Sequence, residues 1–381
     1  MNEECPRCTE YKMNGKLYCG ACGRYLGDSE QIDGGCPRCA WYKAEENFYC
    51  GACGRYLGTM GYPQTQSPDA EKRPSFIELI LLTVCIAFMF IAVFEAITLA
   101  VHFPEIFSFL ANARLNMILI LPFPVAVFSI SGLALQMYWT FVVTIIIACV
   151  IITIQKLMVK ARSSGGITKL GAAEDTAAFW ICVSISAMFM INFIVTVLTM
   201  ASGSDVNVPD FGNKIEQMFG MANAAFWEEI ITRVLYIGVP MVFISLFITG
   251  RNESYRCIFG GFGMSKTAVV LIIISGVIFG LAHYPGWDDQ IWKVITAGLM
   301  GMFLGYVFVR FGLYASILLH FINNYLSSFD WMGVGGLLVI VSLLLLATGL
   351  IALIYILMRA NNFGGSAAAL PSFKNGYVKK D

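Results

Sequence analysis

Between residues 76 and 358 the chain is a succession of apolar runs, each close to the roughly 20 residues an α-helix needs to cross the hydrocarbon core of a bilayer. Clear runs cover 77–101, 137–158, 178–200, 267–283, 291–309, 313–330 and 336–358, and a further run at 221–249 is broken by Pro240. A stretch at 115–133 is apolar but interrupted by Pro122, Phe123 and Pro124, so it is expected either to cross or to re-enter within protein. Lipid offers no partner to a backbone N–H or C=O, so these runs are expected to be helices rather than strands. Composition agrees, with 57% hydrophobic and only 13% charged residues, too little charge to cover a soluble domain of 381 residues. The expected fold is an all-α polytopic membrane protein of about eight transmembrane helices, with the membrane domain over 76–360 and a polar C-terminal tail over 361–381.

Basic residues suggest an orientation, because Lys and Arg favour cytoplasmic loops. Lys72 and Arg73 precede the first run, and Lys156, Lys160, Arg162 and Lys169 lie between 137–158 and 178–200. Arg251, Arg256 and Lys266 follow the Pro240 run, and Arg359, Lys374, Lys379 and Lys380 follow the last. All four groups share one side only if 115–133 does not cross. Both termini are then cytoplasmic, and Glu228 and His283 fall toward the outer half. If 115–133 crosses, these two residues fall toward the inner half instead. No cleavable signal peptide is read at the N-terminus, which is polar and acidic. Zero formal net charge gives no reason to expect a nucleic-acid partner.

Ahead of the apolar runs the chain repeats itself with a period of 31 residues. Cys5-Pro6-Arg7-Cys8 returns as Cys36-Pro37-Arg38-Cys39, and Tyr18 to Gly27 returns unchanged as Tyr49 to Gly58. Each repeat holds two Cys-x-x-Cys turns. One such turn can chelate an ion through two thiolates, and two turns complete a tetrahedral four-sulfur shell. The sets are Cys5, Cys8, Cys19 and Cys22, then Cys36, Cys39, Cys50 and Cys53. They resemble tandem zinc ribbons over 1–30 and 31–60, and about two structural zinc ions are expected. A disulfide framework is the alternative and would need an oxidising compartment. Tyr11, Tyr18, Tyr25, Arg24 and their repeat mates could recognise a protein partner or simply form the small core of such a mini-domain. Residues 61–75, rich in Pro, Gln and Ser, are expected to be a flexible linker. Cys85, Cys149, Cys182 and Cys257, in or beside the apolar runs, are expected to be small buried side chains.

Ionisable residues inside apolar spans are costly and mark function by default. The most conspicuous group is Glu228, Glu229 and Arg233 within Phe226-Trp227-Glu228-Glu229-Ile230-Ile231-Thr232-Arg233. Glu229 and Arg233 are four residues apart, on one helical face and within reach of each other. Glu228 is rotated about 100° away with no local partner, which leaves it free to act as a general base. The bland reading, an acid–base cluster tying helices together, fits Glu229 and Arg233 and fits Glu228 less well. Of the three histidines, His102 is expected in a solvated loop after the first span, His283 ends an apolar helix, and His320 lies inside another. His320 and Asn324 share a helical face, and both can donate to one oxyanion.

Glu228-Glu229-x-x-x-Arg233, then Phe279-x-x-x-His283, then His320-x-x-x-Asn324, in that order on separate helices, resembles the CAAX protease and bacteriocin-processing (CPBP, or Abi) family, which includes the type II CAAX prenyl endopeptidases. The resemblance covers about 178–330 and excludes the cysteine repeats. It implies that Glu228 activates a water, that His283 assists it, that His320 and Asn324 stabilise the oxyanion, and that Glu229 with Arg233 holds the site together. It implies a hydrolase acting on a membrane-associated peptide or protein, with a prenylated CAAX-type tail and a bacteriocin-like leader as candidate substrates. Glu228, His283 and His320 could alternatively ligate a catalytic metal with a position open for water. The site is then metallo-endopeptidase rather than glutamate-type, although no His-Glu-x-x-His helix is present. Two other functional classes compete: a non-catalytic membrane adaptor whose ribbons bind a partner protein, and a proton-using transporter. Complete motifs count against the first, and the lack of a duplicated hydropathy pattern counts against the second.

Overall fold

The computed structural model describes residue 13 and residues 76–164, 175–207, 209, 212–249, 252–326 and 328–363. The cysteine repeats, the linker and the C-terminal tail lie outside these residues. Six of the described helices are long and apolar enough to cross a membrane, and a seventh, Lys266–Ala282, is shorter and equally apolar. The chain is an integral membrane protein whose described part is mostly helical.

Helix α1 (Phe76–Leu110) runs through Pro104 without ending. His102 is therefore helical, part-buried and bonded through Nδ1 to Thr98 O at 2.9 Å, not placed in a loop as expected. Of the two alternatives for the apolar stretch that follows, a crossing does not fit: it turns back against protein, though as strands rather than helix, in an antiparallel hairpin of β1 (Arg114–Ile120) and β2 (Pro124–Ser131) with a register shift between Met117 and Ile118. The two prolines bracket the turn, where Leu121 N donates to Phe123 O at 3.0 Å. Proline disfavours helix for itself and for the residue before it, so Pro-Phe-Pro turns the chain back on itself. The backbone objection to strands in lipid is met by cover. Trp227 Nε1 donates to Ile118 O at 2.8 Å, and the Tyr236 hydroxyl donates to Ile120 O, so the outer edge of β1 lies against protein.

Helices α2 (Gly132–Ser163) and α3 (Ala177–Ala201) follow. Thr176 caps α3, its side chain accepting from Phe179 N. Helix α4 (Lys214–Glu229) opens with a capping box. Asn213 accepts from Ile215 N and Glu216 N, and Glu216 returns a bond to Asn213 N. Pro240 does not break the next stretch. The helix instead widens into a π-helical segment, Ile230–Gly238, and resumes as α5 (Val239–Thr249), with Val239 N reaching back to Val234 O. One residue accommodated by wider pitch lets the chain pass a proline that has no N–H to give.

Helices α6 (Lys266–Ala282) and α7 (Ile291–Phe311) pack at close range through glycines. A Cβ on Gly280 would lie 3.0 Å from Gly298 Cα, and one on Gly276 would lie 2.9 Å from Gly298 O. Such close approach is how helices bind one another where no hydrophobic driving force separates side chain from solvent. Gly312, at φ 106°, turns α7 directly into α8 (Leu313–Tyr325). At 13 residues α8 is too short to cross alone, so 313–330 is not one span. A short helix α9 (Ser328–Trp331) leads to α10 (Gly335–Phe363).

Candidate active site

The end of α4 places two glutamates in opposite surroundings. Glu229 and Arg233 have fully buried side chains, and Arg233 Nε meets Glu229 Oε2 at 3.2 Å, as their spacing implied. The cluster extends beyond that pair. Arg233 Nη1 donates to Ser275 Oγ at 2.6 Å, and Ser275 Oγ donates to Thr232 O at 2.6 Å. The Ser316 hydroxyl donates to Glu229 Oε2, and His320 Nδ1 meets Glu229 Oε1 at 3.0 Å. Helices α4, α6 and α8 and the π segment are joined here by one charge-assisted network, the arrangement in which a buried ion pair is tolerated.

Glu228 faces away from this network. Its side chain retains 20% exposure, and its Oε2 lies 3.8 Å from His320 Nε2. It borders a cavity of about 730 Å³ that His283, His320, Asn323, Asn324 and Lys293 also line. All four expected catalytic residues, Glu228, His283, His320 and Asn324, therefore meet at one space, although they come from three helices.

Hydrogen bonds orient both rings. His283 Nδ1 lies 2.8 Å from Phe279 O, an acceptor only, so Nδ1 carries the proton and Nε2 is the free nitrogen. His320 stands between two carboxylates, Nδ1 toward Glu229 and Nε2 toward Glu228. Phe279 fixes the rings further, with centroids 4.8 Å from His283 and 5.8 Å from His320, both edge-on. Asn324 Nδ2 makes one long bond, 3.4 Å to Met221 O. Among the described residues no three of His, Cys, Asp or Glu are arranged to hold a metal ion.

The sequence reading missed several members. Ser275 and Ser316 complete the buried network, and an isolated serine in an apolar helix gives no signal of that. Lys293, in the first turn of α7, lines the cavity with its Nζ 3.8 Å from the centroid of Trp287. A lysine at the start of an apolar helix is a signal that could have found it. Behind the main cavity, a chamber of about 60 Å³ is bordered by His283, Lys293, His320, Asn324 and Asn192, whose buried Oδ1 has no hydrogen-bond partner. The hairpin supplies Ile118, Ile120 and Pro124 to the cavity wall.

No curated protein and no solved structure matches this chain. Residues 215–326, less than half of the chain, match the family model described as Type II CAAX prenyl endopeptidase Rce1-like. The matched segment begins in the first turn of α4 and ends just after α8, so the part of the chain that carries Glu228, His283, His320 and Asn324 is the part similar to this family of membrane proteases.

Proposed function

We propose that the chain is an intramembrane endopeptidase in which Glu228 activates a water against a peptide bond of a membrane-associated substrate, prenylated CAAX-type or bacteriocin-like. The observation that carries this reading is the convergence of Glu228, His283, His320 and Asn324 on one cavity within the segment that matches the protease family. Glu228 is the acid the buried network leaves unused, and it alone of the pair is open to the cavity. A carboxylate in such a place takes a proton from water as the water oxygen bonds to the carbonyl carbon. The carbonyl electron pair moves onto oxygen, where the Asn324 amide and His320, the latter carrying a proton on each ring nitrogen between its two carboxylates, donate to it. Donors fixed in advance and shielded from bulk water are what an oxyanion needs. As the pair returns, the C–N bond breaks and the proton held by Glu228 passes to the leaving amine. His283 orients the water through its free Nε2. Glu229 and Arg233 hold His320 in place and touch no reacting atom.

The test compares protein termini in membranes of cells carrying the wild type and cells carrying Glu228→Ala at matched expression. A discrete product present only with the wild type supports the reading, and its sequence names the substrate. Indistinguishable termini would overturn it and leave an adaptor role.

The eight cysteines of the N-terminal repeats are proposed to bind structural zinc, and the ribbons to dock a partner protein. Purified full-length protein should carry about two zinc ions by elemental analysis, one per four-thiolate shell. Zinc-free protein with oxidised cysteines would show a disulfide framework instead.

A further inference from the structure

We propose that the catalytic cavity opens on the face of the membrane opposite the cytoplasm, and that the substrate presents its scissile segment there. The placement of the cavity rests on charge and geometry; that a substrate is cut in it rests on the peptidase reading above.

The described helices have two ends that hydrogen bonds and ion pairs identify independently. At one end, Lys160 Nζ lies 3.4 Å and Arg310 Nη2 3.8 Å from the Asp175 carboxylate, joining the end of α2, the start of α3 and the end of α7. Gly261 N and Gly263 N donate to Phe308 O and Val309 O, which brings the start of α6 to the same end. At the other end, Asn207 N donates to Gln290 Oε1 at 3.1 Å, joining the loop after α3 to the loop before α7. Lys214 Nζ donates to Trp331 O at 2.8 Å, and Trp227 Nε1 to Ile118 O, which adds the start of α4, the segment before α10 and the hairpin.

Glu216, His283, Trp287, Lys293, Asn324 and Trp331, with the hairpin, border the cavity, so its walls belong to the second end. Most of the described basic residues outside the buried network belong to the first. Lys156, Lys160, Arg162, Arg256, Lys266 and Arg310 sit in its helix ends and connecting segments. The second end carries three, Arg114, Lys214 and Lys293. Its remaining charges are acidic, among them Glu105, Asp205, Glu216, Asp288, Asp289 and Asp330. Lys and Arg in short loops stay on the cytoplasmic side, which assigns the first end to the cytoplasm and the cavity to the opposite face.

The hairpin removes the ambiguity that the sequence left open. A hairpin enters and leaves at one face, so 115–133 cannot invert the helices after it. It also shapes the approach. Val125, Val127 and Phe128 on β2, the strand whose first residue, Pro124, borders the cavity, are at least half exposed, and such an apolar edge belongs among lipid headgroups and upper acyl chains. A substrate held in the outer leaflet reaches Glu228 beside this edge, whereas a cytoplasmic tail meets only the basic end. The substrate class that fits is a membrane-held polypeptide whose cut segment is exported, lipid-bearing or not.

The test is cysteine labelling of the full-length protein in spheroplasts with a membrane-impermeant maleimide. Asp205→Cys reports the cavity end and Ser163→Cys the basic end; both positions are exposed. Asp205→Cys should label several-fold above wild type before permeabilisation, and Ser163→Cys only after it. Labelling of Ser163→Cys in intact spheroplasts, alone or together with Asp205→Cys, overturns the proposal, as does labelling of Asp205→Cys only after permeabilisation. Neither result depends on activity. An unchanged set of termini in Glu228→Gln cells, with the expected labelling intact, would instead remove the peptidase reading and leave the orientation standing.

Discussion

Glu228 and Glu229 are consecutive residues on one helix, and they belong to two different regions. Glu229 sits in a buried, charge-assisted cluster with Arg233, Ser316 and His320, at 0% side-chain exposure. Glu228 lies at 20% exposure on the wall of an open cavity, with one histidine nitrogen 3.8 Å away. The difference teaches how a helix divides labour. A rotation of about 100° per residue sends neighbouring side chains to separate surroundings, and separate surroundings give the same carboxyl group separate roles. His320 joins the regions, one ring nitrogen in each.

If the regions differ as described, substitutions in them should fail in different ways. The largest effect expected on activity is that of Glu228→Gln. Removal of a general base lowers turnover by about 10²–10⁴-fold. Because Glu228 carries none of the buried network, its thermal midpoint in detergent should stay near that of wild type. Unfolding of this variant at much lower temperature would erase the distinction. Arg233→Met probes the other region. It leaves Glu229 buried beside His320 and Ser316 without its cation, and breaking a buried pair in this way costs about 3–5 kcal/mol. Denaturant titration in detergent should show that loss, and the double variant Glu229→Gln/Arg233→Met should recover part of it. A double variant no better than the single would mean that the network is not coupled.

Smaller effects sharpen the boundary between the regions. Gly280→Ala places a methyl 3.0 Å from Gly298 Cα, and α6 and α7 must separate to admit it. Overpacking of this kind costs about 1–3 kcal/mol. It also shifts His283, three residues on, so turnover should fall more than stability does, measured as kcat against thermal midpoint in one preparation. Tyr236→Phe removes one hydroxyl from the hairpin edge at Ile120. A single hydrogen bond contributes about 0.5–1.5 kcal/mol. The expected signature is faster amide exchange in β1, with kcat changed little.

Much of this was legible in the sequence. Span-length apolar runs identified a membrane protein, and the four-residue spacings of Glu229–Arg233 and His320–Asn324 placed side chains on shared faces, because a helix obeys the same geometry wherever it sits. The failures were local. Residues 115–133 read as helix because apolar composition does not distinguish a span from a covered hairpin, and the covering groups, Trp227 and Tyr236, lie more than a hundred residues away. Pro240 read as a break because a π-helical turn leaves no mark in composition.

The sequence by itself determined that the chain lives in lipid, that its helices carry a spare carboxylate, two histidines and an amide, and that the basic residues gather in alternate connections. Those are properties of short stretches, set by hydropathy, by helical periodicity and by the cost of moving charge into lipid. Tertiary structure alone decided which groups meet. It put Ser316 and His320 on Glu229, left Glu228 to the cavity, and added Lys293 and the hairpin to its walls. The physical reason is that a buried polar group must find its partner in space, and which helix supplies the partner depends on packing between segments that share no pattern along the chain.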